Sequence, residues 1–257
     1  KKHPVHNAVN FNYRMFPNVQ RMKEIVVKGE AGRPLIVHGK YMQDWLLYDT
    51  DYNWRVDPEY GGLTRAVADI GSHWCDLAQT VTGSKITELF ADLATFYPVR
   101  RVLTPSGSYE EKVITTEDYA SVLLRFDNGA HGVFCVSQMS AGRKNYLEIE
   151  VNGSESSVAW NQEDCDKLWL GSRDGDNAYA LRRWVGLAAL PDGHPEGWAD
   201  ALKNNVKTFY EDIRDDKTGG GYATFEDGHV VMAIIDAILE SSRTKSWATV
   251  RSNPRGA

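Results

Sequence analysis

At 257 residues, with 42% hydrophobic and 25% charged side chains, the chain can bury a sizeable core as one large domain or one and a half. A net charge of −6 argues against nucleic acid or an anionic membrane as main partner, and no apolar run approaches the roughly 18 residues of a membrane span. Cys75, Cys135 and Cys165 are odd in number and widely spaced, which fits reduced thiols in a cytoplasm better than a disulfide framework.

In chain order, residues 6–11 read as a short strand, and Pro17 opens a helix running towards Lys28, with Val19, Met22, Ile25 and Val26 on its apolar face. Gly29 and Gly32 end it. Residues 34–45 form a strand, a loop rich in aromatics and Asp spans 48–60, and a helix follows Gly61-Gly62 to about Thr82, with Gly83 as terminator. Residues 86–95 are a strand, and a polar excursion covers 98–111. The strands 119–126 and 130–138 meet across Asp127-Asn128-Gly129, where Asn-Gly favours a type I′ turn. Strands 146–151 and 156–160 form another hairpin, and 166–171 a further strand. Two helices close the chain, one from Trp198 to just before Asp215-Asp216 and one from Phe225 to Arg243, the second with Thr224 and Asp227 in a capping-box spacing. Successive hairpins predict an α+β fold with a largely antiparallel sheet rather than repeated βαβ units.

The segment Asp69-Ile70-Gly71-Ser72-His73 is the one compact constellation able to do chemistry near neutral pH. A carboxylate and an imidazole four residues apart share a helix face, and the Asp can fix the His tautomer. Three readings stay open on residue types alone: a solvated helix face, a catalytic or substrate-binding pair, and a metal site that adds Asp76 at the i+7 position. The metal reading lacks HExxH, a Cys pair or a second His cluster, so no metal is expected. No GxGxxG, GxxxxGK[ST] or GxSxG occurs, so no phosphate-cradling turn and no nucleophile elbow is present in these residues.

Six segments in order carry a resemblance. They are Val9-Asn10-Phe11-Asn12-Tyr13-Arg14, Gly39-Lys40-Tyr41-Met42-Gln43-Asp44-Trp45, Asn53-Trp54-Arg55 with Gly61-Gly62, Asp69 through Asp76, Gly193-His194-Pro195-Glu196-Gly197-Trp198, and Thr224-Phe225-Glu226-Asp227-Gly228. Together they resemble the glucose–fructose oxidoreductase / inositol dehydrogenase (Gfo/Idh/MocA) family of enzymes that use NAD or NADP on sugars and cyclic polyols. The resemblance implies that residues 1–14 are the last strand of a dinucleotide-binding (Rossmann) domain, of which the chain holds only a remnant. Residues 15–257 would be the substrate-binding and oligomerisation domain, an open, mostly antiparallel β-sheet with helices packed on one face. The family's glycine-rich turn and Glu-Lys-Pro motif would lie upstream, in about a hundred residues.

By the same resemblance His73 is the catalytic acid/base, taking a hydroxyl proton while hydride leaves for the nicotinamide, and Asp69 is its partner. Tyr13, Arg14, Gln43, Trp45, Trp54, Arg55 and His194 are the implied substrate contacts. No residue here matches the family's catalytic Lys or its cofactor-binding turn, so the isolated chain is expected to be inactive and the enzyme to work in its intact form. Homo-oligomerisation through the open sheet is implied too. Residues 1–12, lacking their neighbours, are expected to be mobile, swapped or paired with another chain. The alternative is a non-catalytic sugar-binding or assembly module without a cofactor domain.

Overall fold

Alternation of apolar and polar residues, clearest in Tyr119–Phe126, gives strands with one buried face and one open face. In the computed structural model, which describes residues 5–251, these strands build a nine-stranded sheet. The strands are β1 (Pro34–Met42), β2 (Ile86–Ala94), β3 (Val99–Leu103), β4 (Tyr109–Val113), β5 (Tyr119–Phe126), β6 (His131–Ser137), β7 (Tyr146–Gly153), β8 (Ser157–Asn161), β9 (Lys167–Gly171), β10 (Ala178–Leu181) and β11 (Ala248–Thr249). Their order is β10-β9-β8-β7-β1-β6-β5-β2-β11, with β3 and β4 forming a separate two-stranded sheet. Only β1 and β6 run parallel; the other pairs of the large sheet are antiparallel.

The helices are α1 (Pro17–Val27), the single turn α2 (Pro58–Gly61), α3 (Ser72–Thr82), α4 (Trp198–Asp215) and α5 (Phe225–Thr244). α1, α3 and α5 cover one face of the sheet, against β8, against β1 and β7, and against β2 respectively. The opposite face is open, with Ile36, Leu123 and Val133 exposed. The antiparallel pairing is thus as the hairpin series predicts, and the helices on one face are as the resemblance implies.

The seating of α3 depends on a glycine. A Cβ on Gly39 would fall 2.0 Å from the Glu148 carbonyl oxygen and 2.7 Å from Trp74 Nε1. Its absence lets the buried indole of Trp74 lie on the sheet, stacked on Phe134 at 4.6 Å and donating to the Glu148 carbonyl at 3.0 Å. His73, the preceding residue, is therefore set by a rigid contact.

The structure corrects five local expectations. Residues 6–11 are not a strand; Val9 makes a single bridge to Ala223. Nor is this part of the segment swapped or loose: Val9 N donates to the Ala223 carbonyl at 2.8 Å and Phe225 N donates to Asn7 Oδ1 at 2.7 Å, so the chain's own α5 entrance satisfies it. Residues 1–4 lie outside the described residues. The polar excursion at 98–111 contains a hairpin, β3–β4, held by the buried Arg100 rather than by an apolar face. The 127–129 connection is a type I turn closed by Gly129 at φ +83, because Asn128 keeps a negative φ that type I′ excludes. The helix ending at Thr82 does not run unbroken from Gly62: a π-helical turn, Val67–Gly71, leads into α3.

Candidate active site

A cavity of about 300 Å³ opens where the N-terminal turn, β1, the π-turn and the start of α4 converge. Tyr13, Gln43, Asp69 and His73, four of the expected site residues, line it. Each comes from a different element. Tyr13 sits in a 3-10 turn, Asn12–Met15, that packs under α4. Gln43 continues β1, and its backbone N–H donates to the Ser137 carbonyl. His73 stands in the first turn of α3 and Asp69 in the π-turn before it.

Three rings wall in the imidazole. Phe11 and Tyr13 meet it edge-on at centroid distances of 5.3 and 5.1 Å, and Tyr41 lies at 6.4 Å. This burial lowers the His73 pKa to about 4, so the ring is neutral at pH 7. Its Nδ1 is buried without a hydrogen-bond partner. The expected couple with Asp69 is therefore not formed: Asp69 accepts instead from Gln138 Nε2 at 2.7 Å and from Arg55 Nε at 3.2 Å. The reason is the π-turn, whose wider i→i+5 bonding takes Asp69 off the α-helical i, i+4 alignment with His73.

Two of the rings around the imidazole, Tyr13 and Tyr41, belong to a closed hydrogen-bond network. The Tyr13 and Tyr41 hydroxyls are 2.6 Å apart, Tyr41 donates to Asn145 Oδ1 at 2.6 Å, and Asn145 Nδ2 donates back to Tyr13 at 3.2 Å. Gln43 Nε2 also donates to Asn145 Oδ1, at 3.0 Å. Burial raises the pKa of both phenols, which stay protonated and able to donate. Asn12, 2% exposed and on the cavity wall, has an Nδ2 without any protein acceptor.

Other expected contacts fall elsewhere. Arg14 lies outside this cavity, because the buried Asp76 carboxylate and the half-buried one of Asp227 claim its guanidinium. Trp45 lies outside the lining, its indole N–H donating to Gln43 Oε1 at 2.7 Å. Trp54 is 53% exposed and serves as a platform for the Arg55 guanidinium, 4.5 Å from its ring. Arg55 reaches the site only through Asp69. His194 is exposed in a turn, its backbone N–H donating to the Pro191 carbonyl and its own carbonyl accepting from Arg182. Among the described residues no group of three His, Cys, Asp or Glu could hold a metal, and Asp76 is turned away to Arg14.

Sequence reasoning did not single out Asn10, Asn12, Tyr41, Ile70, Asn145 or Trp198 on the wall. Tyr41 was within reach, since residues two apart on a strand share a face with Gln43. Asn145 was not: it meets Gln43 through the β1–β7 register, which pairs Met42 with Tyr146.

One stability consequence follows from the buried imidazole. The folded pKa of His73, about 4, lies below its ordinary 6.5, so its contribution is complete above 6.5 and is lost as pH falls towards 4. Burial raises Asp76 from 3.8 to about 6 despite the Arg14 guanidinium; its contribution is complete below 3.8 and is lost as pH rises through 6. The two slopes oppose each other in wild type. In His73→Asn only the Asp76 slope remains. Close to wild type above pH 6.5, His73→Asn should therefore become the more stable of the two as pH falls towards 4, by up to about 3 kcal/mol. Urea midpoints across that range measure it, and a constant difference would refute it.

A one-sided helical layer on an open sheet, with a neutral imidazole in a cavity lined largely by polar side chains, defines an α+β domain with a candidate small-molecule site. Residues 19–159 match the GFO/IDH/MocA C-terminal domain, and the chain belongs to that family. It is 29% identical, over 97% of its length and 67% of the relative's, to a levoglucosan dehydrogenase of Pseudarthrobacter phenanthrenivorans. A crystal structure described as levoglucosan dehydrogenase in complex with NADH and levoglucosan superposes with a TM-score of 0.84 at 28% identity, covering 95% of this chain and 66% of that one. An oxidoreductase domain protein from Kribbella flavida gives a TM-score of 0.84 at 29% identity, covering 95% and 66%. The chain thus spans about two thirds of the length of these relatives.

Proposed function

We propose that this chain is the substrate-binding, proton-transferring part of an NAD(P)-dependent dehydrogenase that oxidises a hydroxyl of a sugar or cyclic polyol. The observation that carries the reading is the neutral, ring-enclosed His73 facing Asn12, Gln43 and Asn145 in one cavity. A ring of hydroxyls matches these donors and acceptors, and a wrong epimer would leave buried amides unpaired. Its relatives include enzymes whose names and structures pair NADH with levoglucosan or L-sorbose.

In this reading residues 1–14 belong to the end of a dinucleotide-binding unit and residues 15–257 form the substrate-binding and oligomerisation domain. The unpartnered Nδ2 of Asn12 fits an acceptor oxygen of the substrate or of the nicotinamide amide. When bound, NAD(P) supplies the hydride acceptor for the carbinol carbon. His73 takes the hydroxyl proton in the oxidative direction, and the imidazolium so formed is offset by the Asp69 carboxylate in the same cavity. Tyr13 and Tyr41, held as phenols, orient the substrate from beside the imidazole. Arg55 and Gln138 keep Asp69 in place. The exposed apolar face bearing Leu123 and Val133 pairs two copies, which light scattering of the same preparation would register as twice the chain mass.

The deciding experiment assays the purified 257-residue chain and the natural protein it belongs to against a panel of sugars and inositols with NAD and NADP. The natural protein is expected to turn over at least one of them and the isolated chain none, having no GxGxxG turn of its own. Turnover by the isolated chain, or none by the natural protein on any panel member, would overturn the reading.

A further inference from the structure

The Asn12–Met15 turn carries Asn12 and Tyr13 into the cavity, yet a 3-10 turn of this length has little stability of its own, and no side chain caps it. Something else must hold it against α3. Arg14 lies in the middle of the turn and meets Asp76 twice, Nε to Oδ2 at 2.8 Å and Nη2 to Oδ1 at 2.5 Å. Asp76 is three residues beyond His73 on the same helix. Nη2 also lies 3.4 Å from Asp227 Oδ1, while Asp227 Oδ2 accepts from Thr224 N and Oγ1 to cap α5.

Two parallel bonds between planar groups define an angle as well as a distance. A buried ion pair adds little net stability over an apolar contact, because desolvation offsets most of the attraction. What it supplies is orientation. We propose that Arg14 is a positioning residue acting through Tyr13: its fork on Asp76, steadied by Asp227, sets the N-terminal turn against α3 and so closes the Tyr13 ring over His73. The edge-on geometry of that ring, 5.1 Å and 83° from the imidazole, is the shape this clamp maintains.

The inference rests on the reading of this cavity as the substrate site, but its test uses neither substrate nor cofactor, so the two can fail separately. His73 is observed by NMR at pH 7 in the 257-residue chain, where Asp76, raised to about 6, is mostly ionised and the fork is in place. The groups sharing its cavity, Tyr13, Tyr41 and Asp69, are unchanged by the substitutions. Arg14→Lys keeps the charge and loses the fork; with the Tyr13 ring released, the His73 ring protons should lose their NOEs to the Tyr13 ring, whose centroid is 5.1 Å away in the native geometry. Asp76→Asn should remove them in the same way, and it serves alone if Arg14→Lys does not fold. Arg182→Lys weakens a different ion-paired cluster, with Asp166 and Glu196, and should leave these NOEs in place. NOEs retained in the clamp variants, or lost equally in Arg182→Lys, overturn the proposal.

Discussion

Replacement of His73 by asparagine is expected to lower kcat of the intact enzyme about a thousandfold, within the 10²–10⁴ range for loss of a general base. Asparagine preserves size and neutrality, so above pH 6.5, where the native ring is also uncharged, folding should be close to wild type. KM should move little, because the recognition groups Gln43, Asn145 and Asn12 remain. A kcat within tenfold of wild type, with the fold intact by circular dichroism, would remove His73 from the reaction. Asp69→Asn should have a smaller effect, since its carboxylate sits on Arg55 and Gln138 rather than on the ring.

The second large effect is structural. Asp118 is fully buried between Arg65 and Arg100, both also buried, and accepts from Arg100 Nη2 at 2.9 Å, from Arg65 Nη2, and from Phe96 N at 2.6 Å. Burial alone would raise its pKa; the guanidiniums and backbone donors hold it below the usual value. Asp118→Ala leaves two like charges facing each other without a counter-ion, a change that costs about 3–5 kcal/mol. The damage should reach the site as well. Arg100 also holds the carbonyls of Leu46, Tyr48 and Asp51, in the loop leading to Trp54 and Arg55. The neighbouring Glu117 accepts from Arg65 N and Val67 N at the entrance to the π-turn. Urea unfolding measures the loss, and a change below about 1 kcal/mol would show that this cluster is not what binds the loop to the sheet.

Legibility in the sequence followed the range of the interaction that decides each feature. The helices α1, α4 and α5 could be read within a residue or two of their bounds, because Pro17, Gly197-Trp198 and the Thr224–Asp227 box act on their own backbone. The β5–β6 and β7–β8 hairpins were legible for the same reason; β10, which pairs with β9, was not legible. The β3–β4 hairpin was not, because no apolar face advertises it; Arg100 packs through ion pairs that only the folded chain assembles. The π-turn was equally hidden, since its spacing departs from the period that sequence reading assumes.

By itself the sequence determined the helix bounds and the antiparallel hairpins, through local periodicity and capping, while the one-sided helical layer and the grouping of Tyr13, Gln43, Asp69 and His73 were legible through the ordered segments that carry the family resemblance. Which of those groups touch was decided by the tertiary structure alone. Asp69 turns to Arg55 and Gln138, Arg14 to Asp76, and Asn145 enters beside Gln43 through strand register. A side chain's partner depends on which competing charge is within about 3 Å once the backbone has closed, and no spacing along the chain encodes that distance.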